Sequence, residues 1–214
     1  MGDDQQESDP QEIHSGSITG ELDTVADAPK EVVSVAHDYS DISLRLLDLS
    51  DADDFMEWFT DEKVAKFCSW DCFVSKEDAI NYVADFVIPH PWYRAICLKN
   101  KPIGSISVWP FRGKDRCRAE IGYVLGSKYW GNGIATKAVK MATSFVFLEW
   151  PHLERLEGLV DVENVGSQRV LEKAGFTREG VLRKYCLLKG KIPRDMIMFS
   201  ILSTDPQVNY FICD

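Results

Sequence analysis

Ser127-Lys-Tyr-Trp-Gly-Asn-Gly-Ile-Ala-Thr136 is the stretch that decides how this chain folds. It follows an apolar run, Ile121–Leu125, and opens a segment whose apolar residues recur near helical spacing, as is typical of a strand–loop–helix corner. Gly131 and Gly133 stand where the helix begins, and without side chains there the backbone can turn tightly and approach a ligand. The N–H groups of a first helical turn are unpaired and carry partial positive charge. The stretch therefore predicts either an anion cradle, most naturally for phosphate, or a plain glycine turn at a helix entrance.

Length and charge divide the chain into a tail and a domain. The chain has 214 residues, of which 45% are hydrophobic, enough for one domain with its own core. Its net charge of −10 lies at the start, because residues 1–41 hold eleven acids and one base, which leaves 23 acids and 23 bases in the remainder. We therefore predict a disordered acidic tail over residues 1–40 and one folded domain over residues 41–214. The balanced domain has no basic footprint for nucleic acid or for an anionic membrane, and neither partner is expected.

Several classes of protein are disfavoured by missing motifs. The six cysteines form no CxxC pair and no cluster with histidines, so reduced thiols and no metal site are expected. HExxH, GxSxG, GxxxxGK[ST] and a GxGxxG after its strand are all absent, which argues against a zincin, an α/β-hydrolase, a P-loop enzyme and a dinucleotide-binding oxidoreductase. The tail resembles neither a transit peptide nor a secretory signal, and a cytoplasmic, alternatively nuclear, location is expected by elimination.

Hydrophobic periodicity and capping residues predict the order β, helices, βββ, α, β, α, ββ. The predicted strands cover residues 42–47, 93–98, 103–109, 117–125, 156–162, 176–188 and 192–202. Helices are predicted after the N-caps Ser50, Asp61 and Ser75, from Ile134 onward, and from Asn164 or Val165 to about Ala174. This is an α/β mixture without the regular alternation of a doubly wound sheet.

Three segments together resemble the GNAT superfamily of acyl-CoA-dependent N-acetyltransferases over about residues 42–205. Lys128-Tyr-Trp-Gly131-Asn-Gly133 is similar to the family's Arg/Gln-x-x-Gly-x-Gly/Ala loop, and Glu120–Leu125 resembles the strand before that loop. Asn164–Phe176 is similar to the Asn-x-x-Ser-x-x-x-x-x-Lys-x-Gly-Phe segment of the subgroup that includes the RimJ/RimL-like ribosomal-protein-alanine acetyltransferases. The resemblance implies a central mixed, mostly antiparallel sheet of about seven strands, flanked by about four helices.

The resemblance also implies the cosubstrate, acetyl-CoA, and its binding residues, with no metal. A strand that splays from its neighbour would bond the pantetheine arm, and the backbone amides of the loop would hold the pyrophosphate. The implied cofactor-binding residues are Tyr123, Val124, Leu125, Lys128, Trp130, Gly131, Asn132, Gly133, Ile134, Ala135, Thr136 and Asn164. Plainer alternatives stay open: a solvated lysine for Lys128, simple packing for Trp130 and a helix N-cap for Asn164.

Direct acetyl transfer to a primary amine needs a base for the amine and a donor for the departing thiolate. Glu120, just before the splay, is the candidate base, and the alternative is a strand carboxylate paired with Arg118. The resemblance places the acid near Ser167, which could hydrogen-bond the departing sulfur; the alternative is an ordinary first-turn helix serine.

The acceptor is predicted to be a protein N-terminus or a small polyamine-like amine. Arg183–Cys186 lacks the carboxylate that some ribosomal-protein members carry after Gly-Phe, which leaves the choice open. Acids of the first helices are candidates for lining a polyamine cleft, with helix-start preference as the alternative: Asp51, Asp53, Asp54, Glu57, Asp61 and Glu62. The rival function is a non-catalytic acyl-CoA-binding sensor or partner module of the same fold. The oligomeric state has no sequence signature.

Overall fold

The structure, a computed structural model, describes residues 41–210, so the prediction of a disordered tail over residues 1–40 falls outside the described part of the chain. Seven strands form one sheet in the order β1-β2-β3-β4-β5-β7-β6. Neighbouring strands are antiparallel except β4 and β5, which run parallel. The strands are β1 Ile42–Arg45, β2 Tyr93–Leu98, β3 Lys101–Pro110, β4 Arg118–Leu125, β5 Arg155–Asp161, β6 Thr177–Leu188 and β7 Ile192–Leu202. The predicted mixed, mostly antiparallel sheet is confirmed.

Six α-helices appear among the described residues. They are α1 Ala52–Phe59, α2 Glu62–Ala65, α3 Lys76–Tyr82, α4 Ile134–Glu149, α5 Val165–Lys173 and α6 Pro206–Tyr210, with a π-helical continuation of α3 over Val83–Val87. The resemblance implied about four flanking helices, and the sequence also placed a short helix after Asp61, which is α2; α6, with five residues, is too short to show a period. None of the helices described here is long and apolar enough to cross a membrane.

Helix starts follow the capping residues with one correction. Ser75 and Asp78 form the predicted capping box, and the Asp61 side chain accepts a hydrogen bond from the Lys63 N–H. Ser50 is not the N-cap that the sequence predicted, since Asp48 accepts from the Ser50 N–H at 2.7 Å and a 3₁₀ turn, Leu49–Asp51, precedes α1. The capping carboxylate is therefore that of Asp48, two residues earlier, and it caps the 3₁₀ turn.

Two apolar layers cover the sheet. On one face, α4 and α5 contribute Val139, Val146 and Leu171 to a core that also contains Ile121 of β4. On the other face, α1 and α3 build a second core with Phe55 and Trp58 against the β2 residues Ala95 and Cys97. Helix α1 packs over β3, and beside this second core a cleft is lined by residues of β4, β5, β6 and β7.

Gly104 fixes how closely β3 approaches β4. A Cβ placed at this glycine would lie 2.3 Å from the Val124 carbonyl oxygen and 2.9 Å from the Leu125 Cα. Only a residue without a side chain therefore fits between these strands.

Candidate active site

The parallel strands β4 and β5 separate partway along their length. They pair only from Arg118 to Glu120 on β4 and from Arg155 to Glu157 on β5. Beyond Glu120, β4 keeps its pairing with β3 as far as Leu125 but has lost its partner on the other side. A gap bordered by two strand edges therefore opens immediately after Glu120, as the resemblance implied.

Backbone hydrogen bonds show which residues of β4 face this gap. The Gly126 N–H donates to the Ile103 carbonyl at 3.0 Å and the Phe111 N–H donates to the Arg118 carbonyl at 3.0 Å, so even-numbered residues of β4 bond with β3. Because antiparallel ladders alternate, odd-numbered residues direct their N–H and C=O groups toward the gap. Of the three residues expected to bond pantetheine, Tyr123 and Leu125 therefore face the gap, whereas the backbone of Val124 pairs with Ser105 of β3. The side chain of Val124 packs against the second core instead.

Glu120 is a half-buried carboxylate at the point where the strands part. Arg118, the alternative partner considered from the sequence, pairs with Glu157 at 2.8 Å and with Asp115 at 3.3 Å. Among residues 41–210, no cation lies within ion-pair distance of Glu120. Burial, with a smaller contribution from the negative charge of Glu157, raises the pKa of Glu120 above its ordinary value. An unpaired carboxylate with a raised pKa is suited to accept a proton near neutral pH.

Ser167 lies in the first turn of α5, across the gap from β4. The Asn164 side chain accepts a hydrogen bond from the Ser167 N–H at 3.1 Å, which makes Asn164 the N-cap of α5, the plainer role considered from the sequence. The Ser167 hydroxyl lies 2.7 Å from the Tyr123 hydroxyl, and the Tyr123 hydroxyl also donates to the Ser167 carbonyl at 3.2 Å. The sequence gave no warning of this tyrosine–serine contact, because Tyr123 and Ser167 belong to elements 44 residues apart.

The glycine loop has the backbone geometry of an anion cradle. Gly131 and Gly133 have φ angles of +81° and +76°, in the left-handed region, and a Cβ added at either would meet no atom within 4 Å. Gly133 is the N-cap of α4, and its carbonyl accepts from the Lys137 N–H at 3.0 Å. The amides at Ile134, Ala135 and Thr136 begin the 16-residue helix and have no partner within it. The residues present therefore fit the pyrophosphate of CoA.

Two side chains of the loop donate hydrogen bonds to nearby backbone carbonyls. The Asn132 side chain donates to the carbonyls of Tyr129 and Trp130 at 3.2 and 3.0 Å, so it braces the turn. The Trp130 indole N–H donates to the Leu125 carbonyl at 2.8 Å, although the ring is 49% exposed. Trp130 thus ties the loop to the edge of β4 and occupies one acceptor that the pantetheine arm was expected to use.

Lys128 has an exposed side chain that is paired with a carboxylate of α1, and its role as a phosphate ligand stays a prediction. Its Nζ forms an ion pair with Glu57 of α1 and lies 5.0 Å from the centre of the Tyr129 ring. Asp61 adds a second link from the α1–α2 region by accepting from the Ser127 N–H at 3.3 Å. The entrance of the loop is therefore held against the helices on the opposite side of β4.

The acids of the first helices are engaged locally. Asp51 pairs with Arg45, Asp53 with Lys76, Asp54 and Glu57 with Lys101, and Asp61 caps α2. Five of the six candidates for a polyamine cleft therefore take part in an ion pair or a helix cap, and their role in acceptor binding stays a prediction.

The face of the sheet that carries Glu120 also carries an aromatic ring and charged side chains. Trp109 of β3 lies directly opposite Glu120 and is 47% exposed, so it presents an aromatic surface next to the carboxylate. On the β5 side, Glu157 accepts from Arg118 and Arg155 at 2.8 and 2.7 Å. Glu157, the register partner of Glu120, borders a cleft of about 510 Å³ lined by Arg118, Arg155, Glu157, Glu179, Gly180, Val181, Leu182 and Met198. In the sequence, this polar face of β5 could have been recognised from the alternating charged residues of Arg155-x-Glu157.

Five cysteines lie in the described part of the chain, and they form no disulfide. Cys68, Cys72, Cys97, Cys117 and Cys186 are free thiols, of which Cys97 is buried and Cys186 exposed. Within residues 41–210, no three side chains of His, Cys, Asp or Glu are grouped so as to hold a metal ion.

Comparisons with known proteins agree with this geometry. A family model described as an acetyltransferase (GNAT) domain matches residues 41–177. The N-acetyltransferase p20 of Bacillus licheniformis, itself uncharacterised, is 31% identical over 169 residues, which cover 77% of this chain and 94% of that protein. A solved GNAT-family acetyltransferase from Bacillus anthracis has a TM-score of 0.68 at 28% identity and covers 77% of this chain and 96% of that chain.

Two further solved structures share this fold and hold CoA ligands of their own. The microcin C7 self-immunity acetyltransferase MccE, solved with acetyl-CoA and AMP, has a TM-score of 0.65 at 25% identity over 76% of this chain and 92% of its own. RimJ of Mycobacterium smegmatis, solved with a CoA disulfide, shares the fold with a TM-score of 0.67 at 22% identity over 80% of this chain and 88% of its own. Since the family model spans more than half of the chain, this protein belongs to the GNAT family of acetyl-CoA-dependent N-acetyltransferases.

Proposed function

We propose that this chain transfers the acetyl group of acetyl-CoA directly to a primary amine, which is a protein N-terminus or a small polyamine-like molecule. The observation that carries the proposal is the position of Glu120: a half-buried carboxylate without an ion pair, at the point where β4 leaves β5. Its register partner on β5, Glu157, lines the cleft from which an acceptor would approach, and the exposed Trp109 lies opposite Glu120 on β3.

The roles of the individual residues follow from where each lies. The amides of residues 131–136 would bind the pyrophosphate, and the gap-facing backbone of Tyr123 and the N–H of Leu125 would bond the pantetheine arm. Glu120 would accept a proton from the attacking amine, directly or through one water. Ser167, at the opposite edge of the gap, would donate a hydrogen bond to the sulfur as the C–S bond breaks.

The names of relatives support an amine acceptor without choosing one. The spermidine N(1)-acetyltransferase of Escherichia coli is 34% identical over 74 residues, only 35% of this chain and 39% of that protein. The RimL structure, a ribosomal L7/L12 alpha-N-protein acetyltransferase, is 21% identical and supports the fold alone. Both acceptor classes therefore belong in the test.

The decisive experiment measures free thiol released from acetyl-CoA in the presence of an amine panel: spermidine, a simple alkylamine and peptides with different N-terminal residues. Mass spectrometry of the products identifies the acetylated nitrogen. We expect one class to be acetylated, and we expect Glu120→Gln to lose turnover while calorimetry shows unchanged CoA binding. Acetyl-CoA binding with no turnover on any acceptor would favour the non-catalytic sensor, and absence of acyl-CoA binding would refute the proposal.

A further inference from the structure

The side chain of Tyr123 crosses the gap between β4 and α5. Its hydroxyl lies 2.7 Å from the Ser167 Oγ and donates to the Ser167 carbonyl at 3.2 Å. This contact lies between the strand edge that borders the gap and the first turn of the helix that follows β5. It is therefore a side-chain contact inside the site, separate from the backbone groups of Tyr123.

Ser167 is held at two points. Asn164 fixes its backbone by accepting from the Ser167 N–H at 3.1 Å, and Tyr123 contacts both its hydroxyl and its carbonyl. A serine hydroxyl is otherwise free to rotate about its Cα–Cβ and Cβ–O bonds. Restricting that rotation stabilises the transition state most when the hydroxyl must point at charge that develops during the reaction.

The single phenolic hydrogen of Tyr123 can serve either oxygen of Ser167. When it is donated to the carbonyl, the Ser167 hydroxyl can donate to the phenol oxygen. When it is donated to Oγ, the Ser167 hydrogen is released and can point into the gap. Burial raises the pKa of the Tyr123 phenol well above its ordinary range, so this hydrogen is retained across the working pH range.

We propose that Tyr123 is a positioning residue that orients the Ser167 hydroxyl toward the departing sulfur of CoA. This inference rests on the proposed function. In the reaction, the C–N bond forms as the C–S bond breaks, one proton leaves the amine and one proton reaches the thiolate from solvent. Ser167 stabilises the sulfur by a hydrogen bond during this exchange, and Tyr123 remains protonated throughout.

The test is Tyr123→Phe, which keeps the ring and removes only the hydroxyl. We expect kcat to fall about tenfold, the order that loss of one aligned hydrogen bond produces, while the KM for acetyl-CoA is unchanged. Tyr93→Phe is the matched control, because the Tyr93 hydroxyl lies 2.8 Å from the Ser105 Oγ within the other core. That control should lower the melting temperature without changing kcat.

A double-mutant cycle shows whether Tyr123 acts through Ser167. Ser167→Ala should lower kcat at least as much as Tyr123→Phe, and adding Tyr123→Phe to Ser167→Ala should cause no further loss. Full activity in either single variant, additive losses, or a raised KM in place of a lowered kcat would overturn the inference. If the wild-type protein turned over no amine at all, the proposed function itself would fail, so the two failures are distinguishable.

Discussion

The two halves of β4 differ in their partner strands, and Glu120, the candidate base, lies where the two halves meet. From Arg118 to Glu120, the strand is paired on both sides, with β3 and with β5. From Ile121 to Leu125 it is paired with β3 alone, and its odd-numbered backbone groups face the gap. The first half is a rigid support, and the second half is a strand edge available to a peptide-like ligand.

Two neighbouring carboxylates, Glu120 and Glu157, differ in the same way at the point where β4 and β5 part. Glu157 is buried and accepts hydrogen bonds from Arg118 and Arg155, so its charge is compensated. Glu120, its partner on the adjacent strand, has no such cation and a raised pKa. Sheet register thus puts a carboxylate paired with two arginines beside one without an ion pair among the described residues. Only their partners tell them apart.

The largest expected effect comes from Glu120→Gln. Loss of a general base should lower kcat by about 10²-fold or more. Because burial disfavours the charged form in the folded protein, the neutral amide should leave the melting temperature at neutral pH unchanged or higher. Glu157→Gln should do the opposite: it should reduce the free energy of unfolding by about 1–3 kcal/mol, as loss of charged hydrogen bonds does. Steady-state kinetics and thermal melts of the two variants separate the roles.

The pH dependence of the wild-type protein sharpens the same contrast. Glu120 must be ionised to accept a proton, so kcat/KM should fall as the pH drops through its raised pKa, above the ordinary range of glutamate. An acidic limb at the usual glutamate value, or one retained in Glu120→Gln, would contradict the assignment.

Much of this site could be predicted from the sequence because its parts are local. The strand before the loop, the two glycines and the Asn164 cap lie in continuous segments whose periods and capping residues are readable. The contacts that the sequence could not predict join distant segments: Lys128 with Glu57, and Tyr123 with Ser167, 44 residues apart. Long-range packing decides such pairs, and local propensity carries no information about them.

Gly104→Ala is expected to have an intermediate effect on stability, because it disturbs the pairing of β4 with β3. The new Cβ would lie 2.3 Å from the Val124 carbonyl oxygen, so β3 must move away from the edge that presents Leu125 to the gap. We expect the free energy of unfolding to fall by about 1–3 kcal/mol, the usual cost of overpacking. Gly180→Ala is the control, since a Cβ there meets no atom within 4 Å. Equal melting temperatures for the two variants would show that β3 does not constrain β4.

The smallest effect tests the loop that follows the open half of β4. Gly131→Val and Gly133→Val each force a branched side chain into the left-handed region, at a cost of about 1–2 kcal/mol or roughly tenfold in affinity for CoA. Lys128→Ala should weaken binding less, because Lys128 already pairs with Glu57 and the anion is held by backbone amides. Gly190→Val, with φ of +68° in the β6–β7 turn, introduces similar strain away from the loop and should leave CoA affinity unchanged in calorimetry. If Lys128→Ala weakened CoA binding more than the other three variants, the pyrophosphate would be held by the lysine and not by backbone amides. The open half of β4 would then contribute only to binding the pantetheine arm.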